Sequence, residues 1–291
     1  MRSGRANCLV LLLGLALSAA SGLSTIADAQ GGKLHFGVGP LQPTPSETKK
    51  AYEPFFGYLA KELGRDFELT ATTDWAGISV ALANKQVDLA WMGPWGYVLA
   101  NDDSGARAIA TAKYDGKPIY HAIVVCKPGL VKSWPDGAKG KRVSFADVGS
   151  TSGWLIPTSW FKRKGLDPKQ LFNYSDGATH AANEIGVASG QVDCATDFDR
   201  NRNAMIEGGK LERNATEVVW TSDPLPNDAI AVPKDFDAAL ADRIQKTLVG
   251  ISEAQAKTIL PNHYTGFVAA THENYRMIED AGILVGRLKK K

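Results

Sequence analysis

The loop 147–153 (DVGSTSG) has the clearest potential for chemistry, because it lies between a predicted strand and a predicted helix. Glycines let the backbone approach a ligand closely, hydroxyl groups donate hydrogen bonds, and the free amides of a helix N-terminus favour negative charge. The loop therefore predicts an anion site with Ser150, Thr151 and Ser152 as neutral donors. The alternative is that Ser150 or Ser152 only caps the helix. The loop matches neither a Walker A sequence nor a GxGxxG fingerprint.

Aromatic residues at predicted loop ends are candidates for the walls of this site. Trp75 precedes a predicted helix and Tyr120 precedes a predicted strand, and ligands of open α/β sheets usually contact such positions. Tryptophan is mostly buried wherever it occurs, so each aromatic residue could instead belong to the core. We favour Trp75 and Tyr120 as pocket walls, while Trp91 and Trp95 are candidates for either place.

Titratable residues follow the predicted strands of the second half of the chain. His180 has no second His or Cys at metal-ligand spacing, so we expect neither a metal nor a cofactor, and a lone His is more often structural. Asp197, Asp199 and Arg200 follow a predicted strand, and Asp228 follows a Pro-Asn pair. Their side chains could lie at a cleft, although Asp is also a frequent turn residue.

The elements that must position these residues alternate between strands and helices. Strands are predicted at 34–38, 67–71, 87–91, 122–126, 142–145 and 192–196, helices at 52–63, 78–83, 154–164, 238–250 and 253–259, and a turn at 113–120. This alternation predicts an α/β fold. Because the alternation of strands and helices in the first half of the chain repeats in the second half, we expect two lobes. The first spans 30–122, the second 123–222, and 223–291 returns to the first lobe with the C-terminal helices.

The N-terminal segment has the three zones of a secretory signal peptide. Arg2 and Arg5 precede the apolar run 9–16, and a small-residue pattern follows at 27–29. We therefore expect 1–29 to be a signal peptide, cleaved near Ala29, and the mature protein to be periplasmic. The apolar run is too short for a bilayer span.

Cysteine usage and charge limit the remaining classes. Cys126 and Cys194 follow the predicted cleavage site, and they are either a disulfide or two buried thiols. The net charge is +2, with Lys and Arg scattered along the chain. No basic stripe is interleaved with aromatic residues, so nucleic acid is not an expected partner.

Taken together, these segments resemble the phosphate, phosphite and phosphonate binding-protein family of ABC transporters. The segments that carry the resemblance occur in the family's order and approximate spacing: 74–77 (DWAG), 87–94 (VDLAWMGP), 150–153 (STSG), 177–180 (GATH) and 226–228 (PND). The resemblance implies a type II periplasmic binding protein, an α/β fold with two lobes that close like a hinge around a ligand. It also implies that the phosphorus-bound oxygens contact Ser150, Thr151, Ser152, Tyr120 and His180.

The chain departs from this family at two positions. Trp75 replaces a residue that is often Tyr in phosphonate binders, so a flat wall replaces a hydroxyl donor. Similar aminoalkyl-phosphonate binders hold the ligand amine with two acidic residues. Asp228 matches the second, but Arg200 takes the place of the first, with Asp197 and Asp199 just before it.

Arg200 and Asp228 leave the ligand's substituent open. Arg200 could pair with a second anionic group, or it could point to solvent. Asp228 would be satisfied by an ammonium or by a protonated P–OH, which predicts a preference for aminated or protonated ligands.

The resemblance implies that the protein captures a small phosphorus oxyanion, a phosphonate, phosphite or phosphate ester. As a monomer, it would deliver this ligand to a permease and ATPase complex without catalysing a reaction. A ligand-sensing partner of a membrane receptor is an alternative with the same cleft. A secreted hydrolase using Ser150 or Ser152 with His180 and an Asp is disfavoured, because the chain lacks a Gly-x-Ser-x-Gly nucleophile elbow.

Overall fold

The computed structural model describes residues 32–290, so the predicted signal peptide lies outside the described residues. No helix in this range is both long and apolar enough to cross a membrane. The strands are β1 (Leu34–Val38), β2 (Phe67–Ala71), β3 (Leu89–Met92), β4 (Arg107–Tyr114), β5 (Ile119–Tyr120), β6 (Ala122–Cys126), β7 (Arg142–Ala146), β8 (Asn173–Ala178), β9 (Cys194–Phe198), β10 (Glu217–Thr221), β11 (Leu225–Pro226), β12 (Ala229–Val232) and β13 (Tyr264–Ala269). The α-helices are α1 (Pro45–Leu63), α2 (Trp75–Ala83), α3 (Pro94–Ser104), α4 (Ile156–Arg163), α5 (Pro168–Leu171), α6 (His180–Ala188), α7 (Asp199–Glu207), α8 (Ala238–Val249), α9 (Glu253–Ile259) and α10 (Arg276–Leu284).

The larger sheet runs in the order β13-β4-β12-β3-β1-β2 and is packed on both faces. β1 pairs in parallel with β2 and β3, whereas β12 pairs in antiparallel with β3 and β4. Side chains alternate across a strand, and in β3 Leu89 and Trp91 join the cluster with α1 and α8, while Ala90 and Met92 join the cluster with α2, α3 and α10. Burial on both faces explains why this strand has a continuous apolar sequence.

The smaller sheet runs in the order β10-β6-β9-β7-β8. β7 pairs in parallel with β8 and β9, and β6 pairs in antiparallel with β9 and β10. Val143, Phe145 and Phe161 form a buried cluster on one face. The two sheets confirm the predicted α/β fold with two lobes.

Two chain segments cross between the sheets, and they pair with each other. β5 lies on the way from β4 to β6, and β11 lies on the return from β10 to β12. Tyr120 pairs with Leu225 and Ile119 with Pro226 in a short antiparallel ribbon. This ribbon corrects the predicted turn at 113–120, because Lys113 and Tyr114 end β4 and the last two residues form β5.

Helix caps explain where the predicted boundaries differ from the structure. The carboxylate of Asp74 accepts a hydrogen bond from the Gly77 amide at 2.7 Å, so α2 begins at Trp75 rather than at the predicted Ile78. The predicted helix at 154–164 begins instead with a π-helical turn at Thr151–Leu155, which continues into α4.

A disulfide joins Cys126 in β6 to Cys194 in β9. These residues are directly opposite each other in the antiparallel pair, and both are fully buried. The two alternatives left by the sequence are therefore resolved in favour of a disulfide, and the smaller sheet is cross-linked at its centre.

Reduction of this disulfide is expected to destabilise the protein. The bond links residues 68 positions apart, and restricting a loop of this length in the unfolded chain contributes about 4 kcal/mol in the chain-entropy model. Urea unfolding with and without reductant measures the difference. Reductant should have no effect on a Cys126→Ala/Cys194→Ala variant. Two free thiols in the purified native protein would contradict the assignment.

Candidate functional site

Helix N-termini converge on one buried pocket between the two sheets. Trp75 opens α2, Gly93 caps α3, Ser150 caps the π-helical turn, His180 opens α6, and Arg200 lies in the first turn of α7. All of them line the pocket. Free amides and the positive ends of helix dipoles favour an anion at such a place, without a formal positive charge.

Ser150 combines the two roles that the sequence left open. Its Oγ accepts a hydrogen bond from the Gly153 amide at 3.0 Å, and it also lies 2.9 Å from Nε2 of His180. The residue is 2 % exposed and lines the pocket. Helix capping and pocket lining are therefore not exclusive at this position.

The loop is held against the smaller sheet by contacts that were not predicted from the sequence. Thr196 in β9 accepts a hydrogen bond from the Ala146 amide and donates one to the carbonyl of Gly153 at 2.6 Å. A Cβ on Gly153 would lie 2.8 Å from Cε1 of His180, so only glycine fits at this position without displacing the histidine. The central Thr in a strand was the available signal for this anchor.

Thr151 connects the loop to the other lobe. Its Oγ1 accepts a hydrogen bond from the Trp95 amide at the start of α3, at 2.8 Å, and Nε1 of Trp95 donates to the Val148 carbonyl at 3.1 Å. A Cβ on Gly149 would lie 2.5 Å from the Ala76 amide nitrogen. The loop therefore contacts the N-termini of α2 and α3 with no space for a side chain at Gly149.

The two predicted wall residues both line the pocket. Trp75 lies against Gly39 and Gly93, where a Cβ would approach its ring to 2.5 and 3.3 Å. Burial raises the pKa of Tyr120, so its hydroxyl keeps its proton and remains a donor. That hydroxyl interacts with the side chains of Thr151 and Ser152. Trp91 belongs to the core instead, where it is fully buried between Phe55 and Tyr264.

His180 is neutral in this environment. Burial lowers its pKa to about 4. Its Nδ1 lies 3.0 Å from Oδ1 of Asp197, although the angle is not that of a hydrogen bond and Nδ1 has no such partner among the described residues. Ser150, His180 and Asp197 thus lie in a row, with His180 in the middle. The predicted histidine lines the pocket, and its Nε2 faces Ser150.

Asp197 corrects the expectation that it lines the cleft. It lies within β9 rather than after it, is fully buried, and sits behind His180, outside the pocket lining. Asn201 donates to both of its oxygens at 3.0 and 2.9 Å. Burial and the neighbouring Asp197 raise the pKa of Glu184 to about 9, so this carboxyl group is protonated at neutral pH.

Arg200 does not point to solvent, which was one of the two predicted alternatives. It is 6 % exposed, and Nη1 donates to Oδ1 of Asn227 at 2.6 Å and to the Tyr264 hydroxyl at 3.2 Å. Nη2 lies 3.5 Å from Oδ2 of Asp228. The same Oδ2 accepts a hydrogen bond from Nε1 of Trp91 at 3.2 Å. Arg200 and Asp228 therefore form a buried ion pair at the wall of the pocket.

Aromatic rings enclose the Arg200 guanidinium. Its carbon lies 4.6 to 5.8 Å from the ring centres of Tyr114, Tyr120, Phe198 and Tyr264. Cation–π attraction strengthens when the cation is desolvated, as it is here. Tyr114, Asn227 and Tyr264 were not predicted as site residues, because Tyr114 and Tyr264 come from distant strands and Asn227 was considered only as the residue before Asp228.

No group of three or more His, Cys, Asp or Glu side chains in the described range is placed to hold a metal ion. The cavity between the pocket-lining residues is about 10 Å³, far below the roughly 300–1,000 Å³ of pockets for drug-sized ligands. The pocket as it stands in this structure therefore excludes a bulky ligand.

We expect His180 to remain neutral well below the usual range of histidine. Its imidazole should show little change between pH 7.5 and 5, because burial disfavours the charged form. Histidine ¹H–¹⁵N NMR spectra of the apo protein measure this and identify the tautomer. His263 is the internal control, since Glu207 and Asp115 raise its pKa. A midpoint for His180 at pH 6 or above would contradict the prediction.

Comparisons with known proteins agree with this geometry. The sequence model of the family described as "ABC transporter, phosphonate, periplasmic substrate-binding protein" matches residues 36–275. The phosphonates-binding periplasmic protein of Escherichia coli K12 is 28% identical over 244 residues, covering 80% of this chain and 72% of that protein. A protein of Mycolicibacterium smegmatis named phosphate-import protein PhnD is 25% identical over 315 residues, covering 98% and 96%.

Solved structures show the same fold. A binding-protein component of a Pseudomonas aeruginosa ABC phosphonate transporter aligns with a TM-score of 0.79 at 22% identity, covering 87% of this chain and 86% of that chain. PhnD1 of Prochlorococcus marinus, in complex with methylphosphonate, aligns with a TM-score of 0.78 at 20% identity, covering 88% and 98%. The fold is that of a type II periplasmic binding protein, as predicted. Because the family match spans most of the chain, the protein belongs to the phosphonate-binding family of periplasmic ABC transporter substrate-binding proteins.

Proposed function

We propose that the protein captures a small phosphorus oxyanion between its lobes and delivers it to a membrane permease. The observation that carries this proposal is the buried pocket at which helix N-termini and hydroxyl groups converge. A tetrahedral oxyanion has several acceptor oxygens, and Ser150, Thr151, Ser152 and Tyr120 offer donors from different directions. Buried donors are stabilised when each finds an acceptor.

The names of the relatives support a chemical class of ligand rather than one compound. They include proteins named for phosphonates and for phosphate, and one structure contains methylphosphonate. These ligands share a phosphorus atom with several terminal oxygens. The small pocket and the Trp75 wall favour phosphite, methylphosphonate or phosphate over a ligand with a long substituent.

We further propose that no bond is made or broken in the site. Ser150, His180 and Asp197 lie in the order of a hydrolytic triad, which is the observation that favours a hydrolase. However, Oγ of Ser150 already accepts the Gly153 amide as a helix cap. Burial also raises the pKa of Asp197 to about 7, which makes it a weak partner for an imidazolium. The row is better suited to fixing the orientation of His180.

The family supports the cellular setting that we propose. The expected partners are an ABC permease and its ATPase, and the protein acts as a monomer in the periplasm after removal of the predicted signal peptide. A sensing role would use the same closed form. Neighbouring permease and ATPase genes would favour delivery, and a neighbouring sensor kinase gene would favour sensing.

Isothermal titration tests the ligand class. Mature protein stripped of ligand should bind at least one of phosphate, phosphite or methylphosphonate with micromolar or tighter affinity, and the ligand should be recovered unchanged. Sulfate and acetate are the control anions. Failure of all three phosphorus ligands would leave the fold intact but remove the proposed function.

Closure of the lobes should depend on Gly149. In Gly149→Ala, the new Cβ would meet the backbone at Ala76, so we expect at least a tenfold loss of affinity, together with a solution scattering profile that stays extended when ligand is added. Gly186→Ala in α6 is the matched control, because a Cβ there has its nearest neighbour at 3.4 Å. Equal affinity in Gly149→Ala and the wild type would show that the observed lobe contact is not needed for binding.

A further inference from the structure

The charge balance of the pocket wall determines which substituents a ligand can carry. Asp228 is the one acidic residue among the described residues that line the pocket. Its Oδ2 is contacted by Nη2 of Arg200, Nε1 of Trp91 and the hydroxyl of Tyr264. The carboxylate is therefore already paired with a cation and hydrogen-bonded before a ligand enters.

We propose that Arg200 is a built-in counter-cation that makes the pocket selective for phosphorus oxyanions without an ammonium group. This inference rests on the proposed function and narrows its substrate class. Without Arg200, the buried Asp228 would attract a cationic substituent, because an unpaired buried carboxylate is strongly disfavoured. With Arg200 present, that attraction is satisfied internally.

The position of Arg200 is fixed by its surroundings. Hydrogen bonds to Asn227 and Tyr264 orient the guanidinium, and aromatic rings enclose it. Arginine cannot lose its proton in a protein, so this charge is permanent. Displacing it would separate a buried ion pair and break hydrogen bonds to two residues.

A ligand ammonium would meet no unpaired carboxylate among the described residues that line this pocket, because Asp228 is already paired with Arg200. The guanidinium and the helix N-termini are all positive, and Asp197 is fully buried behind His180. In contrast, Nε of Arg200 has no hydrogen-bond partner among the described residues. An oxygen of the ligand could use this donor, so the same side chain favours an anion and disfavours a cation.

Titration with a pair of ligands of equal size tests the proposal. Ethylphosphonate and aminomethylphosphonate have short substituents of equal size, and they differ by a terminal methyl against a terminal ammonium. We expect the wild type to bind the aminated ligand at least 100-fold more weakly. Equal affinities would overturn the proposal, because the ammonium charge would then make no difference to binding. Absence of binding for phosphate, phosphite and methylphosphonate as well would instead remove the proposed function.

Substitution of Arg200 separates charge from shape. Arg200→Met keeps a long side chain within the aromatic rings but leaves Asp228 available, so affinity for aminomethylphosphonate should rise at least tenfold relative to ethylphosphonate. The double variant Arg200→Met/Asp228→Asn is the matched control and should lose this gain. An unchanged ratio in folded Arg200→Met would contradict the proposal.

A second variant covers the case in which Arg200→Met does not fold. Asp228→Asn retains Arg200 and removes the compensating negative charge, so the wall becomes net positive. We expect discrimination against the ammonium to increase at least threefold over the wild type. A decrease would show that Asp228 attracts cations despite Arg200, and the proposal would be wrong.

Discussion

A buried anion needs compensating charge, and in this molecule helix N-termini at the pocket offer such compensation from the backbone. The chain turns from a strand into a helix on both sides of the cleft, at Gly93 after β3 and at Ser150 after β7. The positive end of a helix dipole acts only within its first turn. The remaining architecture must therefore bring several helix starts within contact distance of one point, and the loops that follow the parallel strands β3 and β7 do so at the pocket.

This arrangement also leaves little space for side chains at two glycines of the loop 147–153. Backbone donors reach a ligand only if no side chain intervenes, which is why Gly149 lies against α2 and Gly153 against His180. Thr196 in β9 holds the same loop through its hydroxyl group, which hydrogen-bonds to the Ala146 amide and the Gly153 carbonyl. The site therefore depends on the close packing around this loop as well as on its hydrogen-bond donors.

The fold class could be predicted because strand and helix periodicity is a local signal, and the STSG loop is a local signal for the site. The structure places most of the candidate residues at one pocket. The elements that were not predicted are helices α3, α5, α6, α7 and α10 and strands β4, β5, β8, β10, β11, β12 and β13. The ion pair of Arg200 with Asp228 was also beyond the sequence, since it depends on α7 of one lobe meeting β12 and β13 of the other. Asp197 was misplaced because a two-residue error in a strand boundary turns a loop residue into a core residue.

The hydrogen bond between Thr151 and the Trp95 amide has a consequence for discrimination between ligands. One hydroxyl group both lines the pocket and joins the lobes, so an occupant that pushes Thr151 aside also weakens the closed form. The outer contour of the protein then depends on how well the occupant fits. A partner protein that recognises only this outer surface would discriminate against a poorly fitting ligand without contacting the ligand.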